Sequence, residues 1–143
     1  MRLISRLQSI IVVLLLVVLI TACGSPTPPK TFAPDGKVVE RAIALSLTQA
    51  QQNLSNQLTT LLPESEISKI TVTQLEPLYL GKLPTYHLQG SYRVVLKLSD
   101  TKVEKQDNQF DIYLQRQIEG KTWRLLKKEP DGEQWLSYSL ERF

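Results

Sequence analysis

Few side chains in this chain can do chemistry on their own: one thiol, Cys23, and one imidazole, His87, in 143 residues. A thiol can serve as nucleophile, metal ligand or acylation site, and an imidazole as general base or metal ligand. A catalytic triad needs a nucleophile and an acid converging on the imidazole, and a zinc site needs three or four ligands. Neither spacing surrounds His87, which alternates to the outer face near one end of a strand pattern and reads as a surface histidine. Asp100, Glu104 and Asp107 gather carboxylates, but the interleaved Lys102 and Lys105 make them read as a solvated hairpin tip. Paired carboxylates for glycoside hydrolysis would need an apolar cleft that raises one pKa, and none is legible. The sequence thus offers no catalytic constellation, no metal site and no cofactor motif, and enzyme activity is not expected. Cys23 stands apart because of what precedes it.

Arg2 and Arg6 are followed by an apolar run from Ile10 to Ile20, and that run closes on Ile20-Thr21-Ala22-Cys23. A signal peptide needs a basic start, an apolar middle and small residues at the cleavage point, and all three occur in order. An uncleaved membrane-spanning helix needs about 20 apolar residues. Gln8 and Ser9 leave too few between Leu7 and Ala22. The segment resembles a bacterial lipoprotein signal, with its lipobox at Ile20 to Cys23 and Ile20 standing where Leu is usual. The resemblance implies removal of residues 1–22, diacylation of the Cys23 thiol, and often acylation of the new amine. The protein would then be lipid-anchored on the extracytoplasmic side of a membrane in the bacterial cell envelope. More than one acyl chain gives stable attachment, whereas a single chain holds only marginally. The alternative, an ordinary secreted protein, leaves an unpaired thiol beside the cleavage site. Gly24 stands where an Asp tends to retain Gram-negative lipoproteins in the inner membrane, so the choice of membrane stays open.

The chain carries 17 basic and 14 acidic residues, and loss of Arg2 and Arg6 leaves 15 against 14. So balanced a mature protein has no electrostatic footprint for nucleic acid. With Cys23 acylated no disulfide can form, and the fold must rest on its hydrophobic core. Residues 37–143 are enough for one small domain and no second. Residues 23–36 carry Pro26, Pro28, Pro29 and Pro34 and read as a spacer that cannot pack. In a polyproline-like conformation it would hold the domain roughly 40 Å from the lipid.

Helical spacing begins at Val39 and continues through Ile43, Leu47, Ala50, Leu54, Leu58 and Leu61. Asp35 is a start signal and Pro63 a stop. The opposite face, from Ser46 to Thr60, is polar and uncharged; it reads as a solvated face or as a partner surface. After Pro63 the period becomes two. Ile67 to Glu76 suggests a strand of unset pairing, then a Pro77 to Pro84 connection. Tyr86 to Leu98 gives a long strand with Tyr86, Leu88, Gly90, Tyr92, Val94, Leu96 and Leu98 on one face. Further strands start at Phe110, Trp123 and Leu136. Turn signals at Glu119 to Thr122 and Pro130 to Glu133 place Trp123 opposite Ile118 and Leu140, and Leu125 opposite Tyr138. A loop around Glu104 places Leu96 opposite Ile112 and Lys97 beside Asp111. The expected fold is α+β, one long N-terminal helix packed on one face of a four- to five-stranded antiparallel meander. That order, with Gly120-x-x-Trp123-x-Leu125, resembles the cystatin-like superfold and its small nuclear-transport-factor-like domains at the level of topology. Fold does not imply function, so no catalytic residue carries over.

These registers place Arg93, Val95, Tyr113, Leu126, Lys128 and Trp135 together on the sheet face away from the helix. Patches rich in Trp, Tyr and Arg are common at protein interfaces, which makes these six a candidate interaction patch; the alternative is that other segments cover them. Two functions follow. One is a membrane-anchored, non-catalytic interaction or assembly module with a protein partner. The other is a small-ligand binding protein or enzyme using a cavity between helix and sheet; large inward residues such as Tyr86, Phe110 and Trp123 argue for a filled core.

Overall fold

The structure, a computed structural model, describes residues 26–58, 64–98 and 101–141. Within them a 3-10 turn at Lys30–Phe32 leads into helix α1, Gly36–Leu58. Asp35 caps it: its Oδ1 accepts from Val38 N at 2.9 Å, satisfying one of the N–H groups that a helix start leaves orphaned. Five strands follow: β1 Glu64–Leu80, β2 Leu83–Leu98, β3 Thr101–Arg116, β4 Trp123–Lys128 and β5 Trp135–Ser139. They pair antiparallel in chain order, and α1 packs on one face, giving an α+β architecture.

Alternation sets the core. Tyr86 and Leu88 of β2, Phe110, Ile112 and Leu114 of β3, and Leu125 of β4 face α1, which presents Val39, Ala42, Ile43 and Leu45. Each Val, Leu, Ile or Phe among them contributes about 1.5–3 kcal/mol on full burial. The apolar stripe of α1 is used only in part: Val39 and Ile43 are buried, but Leu54 is 56 % exposed. Leu61 and Pro63 lie outside the described residues.

Three sequence expectations change. The segment read as a Pro77 to Pro84 connection is paired strand, Pro77 opposite Tyr86 and Pro84 opposite Tyr79, turning at Gly81 with φ 64°. Pro77 is tolerated because β1 is an edge strand, with one row of backbone donors that no neighbour requires. The β2–β3 connection is not around Glu104: Leu98 pairs with Thr101, and Ile112 faces Leu88 rather than Leu96. The charges of this stretch, including Glu104 and Asp107, sit in strand: here β3 pairs with β2 alone and is locally an edge, where apolar side chains are not required. Between β3 and β4, Trp123 faces Arg116 instead of Ile118. The connection is longer by a pair than the expected two-residue loop, closed by Gln117 N to Thr122 O and Gly120 N to Gln117 O, with Gly120 at φ 74°. A shift of two preserves the facing of each side chain, so the core is unaltered. At the other turn the register is as expected, Leu125 opposite Tyr138.

The proline-rich segment also differs. Pro28 is fully buried, and the Tyr86 hydroxyl donates to Pro29 O at 2.8 Å. The Arg116 guanidinium lies 5.0 Å from the centre of the Phe32 ring. The segment is thus pinned to the sheet at Pro28 and Pro29 rather than a free spacer throughout, although Pro29 to Phe32 stay exposed.

Candidate functional site

Odd positions of β2 and β3 and even positions of β4 face away from α1, and the pairing aligns them. His87 is opposite Tyr113, and Tyr113 opposite Leu126. The His87 and Tyr113 rings stack at 4.2 Å, almost parallel at 1°. Trp135 meets Tyr113 edge-on at 4.9 Å, and Lys128 Nζ lies 5.4 Å from the centre of the Trp135 ring. A continuous row of three rings capped by an ammonium thus crosses the outer face. Such aromatic pairs contribute about 0.5–1.5 kcal/mol beyond area burial.

His87 holds the row upright. Its Nε2–H donates to Asp111 Oδ1 at 2.6 Å, and its Nδ1 faces Glu76 Oε2 at 3.8 Å. Gln89 Nε2 donates to the other Asp111 oxygen at 2.7 Å. Partial burial pushes the Asp111 carboxyl up, but the hydrogen bonds from His87 and Gln89 outweigh it, so its pKa lies below the ordinary value. Burial, reinforced by the Asp111 and Glu76 charges, raises the Tyr113 hydroxyl and keeps it a protonated donor at neutral pH. Both imidazole nitrogens thus face carboxylates, and the His87 ring lies flat against Tyr113. No group of three or more His, Cys, Asp or Glu among the described residues is arranged to hold a metal ion.

The six-residue patch divides. Tyr113, Trp135 and Lys128 come together as expected, but Leu126 is 5 % exposed and forms the floor beneath them. Arg93 lies six residues along β2 from His87, about 20 Å away at strand rise. Val95 lies further still and is buried, opposite Glu66 and Glu104. The corrected β2–β3 register moves both out of the patch. It also replaces Lys97 beside Asp111 with Gln89 opposite it. His87, Gln89 and Asp111 are the members that sequence reading missed, because they meet only through that register. Cys23 lies outside the described residues.

A second feature adjoins the row. β3 pairs with β4 only from Tyr113 to Arg116, whereas β4 continues to Lys128 against β5 alone. Where the strands part, a groove of about 500 Å³ opens between Ile43, Leu47 and Ala50 of α1, Phe110 and Ile112 of β3, and Lys127. Ser46 Oγ on its wall is buried without a hydrogen-bond partner. Burial lowers the Lys127 pKa, and its ammonium lies 6.0 Å from the Tyr138 ring centre. The helix–sheet interface therefore holds this groove at one end, and a second one of about 310 Å³ lies at the other, between Val38 and Arg41 of α1 and Trp123 and Leu140.

No protein-family model, no curated protein and no solved structure matches this chain.

Proposed function

We propose that the protein is a lipoprotein of the bacterial cell envelope, acylated at Cys23, whose domain acts as a non-catalytic protein-interaction or assembly module. The order of basic residues, apolar run and Ile20 to Cys23 supports the anchor. The observation that carries the module is the row of Tyr113, Trp135 and Lys128, a partly exposed aromatic surface with one cation at its end. Aromatic side chains flanked by a cation suit protein recognition, where large rigid rings bury much area at little entropic cost. The helix-then-meander order supports reading the domain as a variant of the cystatin-like plan.

Cys23→Ser is expected to abolish membrane association and globomycin-sensitive processing; retention of both would end the anchor reading. Tyr113→Ser with Trp135→Ser is expected to leave the fold intact by circular dichroism and to weaken partner capture from the native membrane. An unchanged set of crosslinked partners would overturn the module reading. The groove favours the second reading, a ligand-binding protein or enzyme. It is open to solvent, its floor is apolar, and Ser46 and Lys127 offer it a hydroxyl and an ammonium.

A further inference from the structure

We infer that the end of the domain where the N-terminal segment enters is a bilayer-contacting surface. There the side chain of Ile118 inserts at the boundary of headgroups and acyl chains, with Phe32 and Tyr79 exposed at the same end of the sheet. The inference rests on the anchor at Cys23.

Chain length supplies the first argument. Cys23 and Pro28 are five residues apart, a span of at most about 18 Å when fully extended. Pro28 is fully buried and Pro29 is held by Tyr86, so an acylated Cys23 keeps this end of the sheet within that distance of the lipid. A free spacer would let any face meet the membrane; a packed one selects this face.

The selected face exposes apolar side chains. Ile118, in the β3–β4 turn, is 92 % exposed, Phe32 52 % and Tyr79 42 %. Arg116 ties two of them together: its Nε and Nη2 donate to Gly120 O, closing the turn that carries Ile118, while its guanidinium covers the Phe32 ring. Tyr79 pairs with Pro84 beside the β1–β2 turn, and Gln115 Nε2 donates to Leu80 O, which draws that turn to the same end. Isolated exposed apolar residues are ordinary on soluble proteins, and Leu54, Val72 and Leu136 are such residues here; Ile118, the most exposed of the large apolar side chains among the described residues, stands at the tethered end.

Charge supplies the third. Lys30 lies in the 3-10 turn, Lys82 in the β1–β2 turn and Lys121 in the β3–β4 turn, all at this end. Glu119, the acid nearest Ile118 in sequence, is turned back to accept from Thr122 Oγ1. Apolar tips flanked by lysines match the phosphate and upper acyl region of an anionic bilayer.

The test uses the full acylated chain in vesicles of phosphatidylethanolamine and phosphatidylglycerol. In Ile118→Cys, with Cys23 consumed by acylation, the new thiol takes an environment-sensitive nitrobenzoxadiazole dye. The same dye at Asp131→Cys, in the turn at the opposite end, is the reference. The expected result is a blue-shifted emission at position 118 and several-fold stronger quenching by nitroxide-labelled lipid than at position 131. Equal quenching at both positions, with the chain still floating with the vesicles, would overturn the surface while leaving the anchor. Failure to float would overturn both. As a second readout, trypsin cleavage at Lys121 is expected to be slower on vesicles than in detergent, and Ile118→Asp to restore the detergent rate; no protection in the unsubstituted chain would contradict the contact.

Discussion

The two ends of the helix–sheet interface are finished differently. At the end where the chain enters, Pro28 is buried, Tyr86 bonds Pro29, Arg116 closes the β3–β4 turn, and all neighbouring strands pair. At the other end β4 leaves β3, a groove opens, Leu54 is exposed, Ser46 Oγ has no partner and Lys127 is desolvated. Each end leaves a buried polar atom unpartnered and an apolar side chain exposed, Gln117 Nε2 and Ile118 at the first, Ser46 Oγ and Leu54 at the second, so strand pairing is what separates them. On the proposed reading, the end whose strands all pair serves attachment and the end where β4 leaves β3 keeps surface for recognition.

Gly90 lies where the two halves meet. A Cβ there would come within 2.1 Å of Thr71 O and 2.7 Å of the Phe110 ring, and backbone on one side leaves no room to yield. Gly90→Ala is therefore expected to cost about 3 kcal/mol, the upper range for overpacking, in urea unfolding. An unchanged midpoint would mean that the halves are not joined through this contact. Tyr86→Phe breaks the closed end alone: loss of its hydrogen bond to Pro29 O should cost about 0.5–1.5 kcal/mol. Hydrogen exchange should accelerate at Phe32 and Ala33, whose amides close the 3-10 turn, without change in β5. Ser46→Ala sharpens the contrast in the other direction. It removes an unpartnered hydroxyl and improves helix propensity, so it should raise stability by about 0.5–1 kcal/mol. A loss of stability would show that the hydroxyl has a structural partner.

The smallest effect concerns the outer row. Because the folded pKa of Asp111 is lowered, its contribution is present above the ordinary carboxylate pKa and disappears as pH falls through the folded value. Asp111→Asn should flatten stability against pH on that acid limb, by a small amount because the carboxylate is more than half exposed. An identical acid limb would remove Asp111 from the account.

What the sequence made legible follows the range of the interactions. Helix α1 was readable from Asp35 and the Val39, Ile43 spacing, and the β4–β5 register from the Asp131-Gly132 turn, since both signals are local. At Gly120 the turn residue was read correctly but the loop length was not, a difference of two that spared the core and moved Ile118 into solvent. The β2–β3 register failed because charges between Thr101 and Asp107 resemble a loop, although backbone pairing holds them in strand. That failure scattered Arg93 and Val95 and concealed His87 with Asp111, which are 24 residues apart. Packing of Pro28 depends on Tyr86, 57 residues from Pro29, and proline-rich composition carries no sign of it.

The claim that one end meets lipid while the outer row meets protein is tested most directly by photocrosslinking in the native membrane. A benzophenone side chain is placed at Lys128, beside the Trp135 ring, or at Ile118 in the acylated chain. One discrete protein adduct is expected from position 128 and phospholipid adducts from position 118. Phospholipid adducts from position 128, or the protein adduct from position 118, would contradict it.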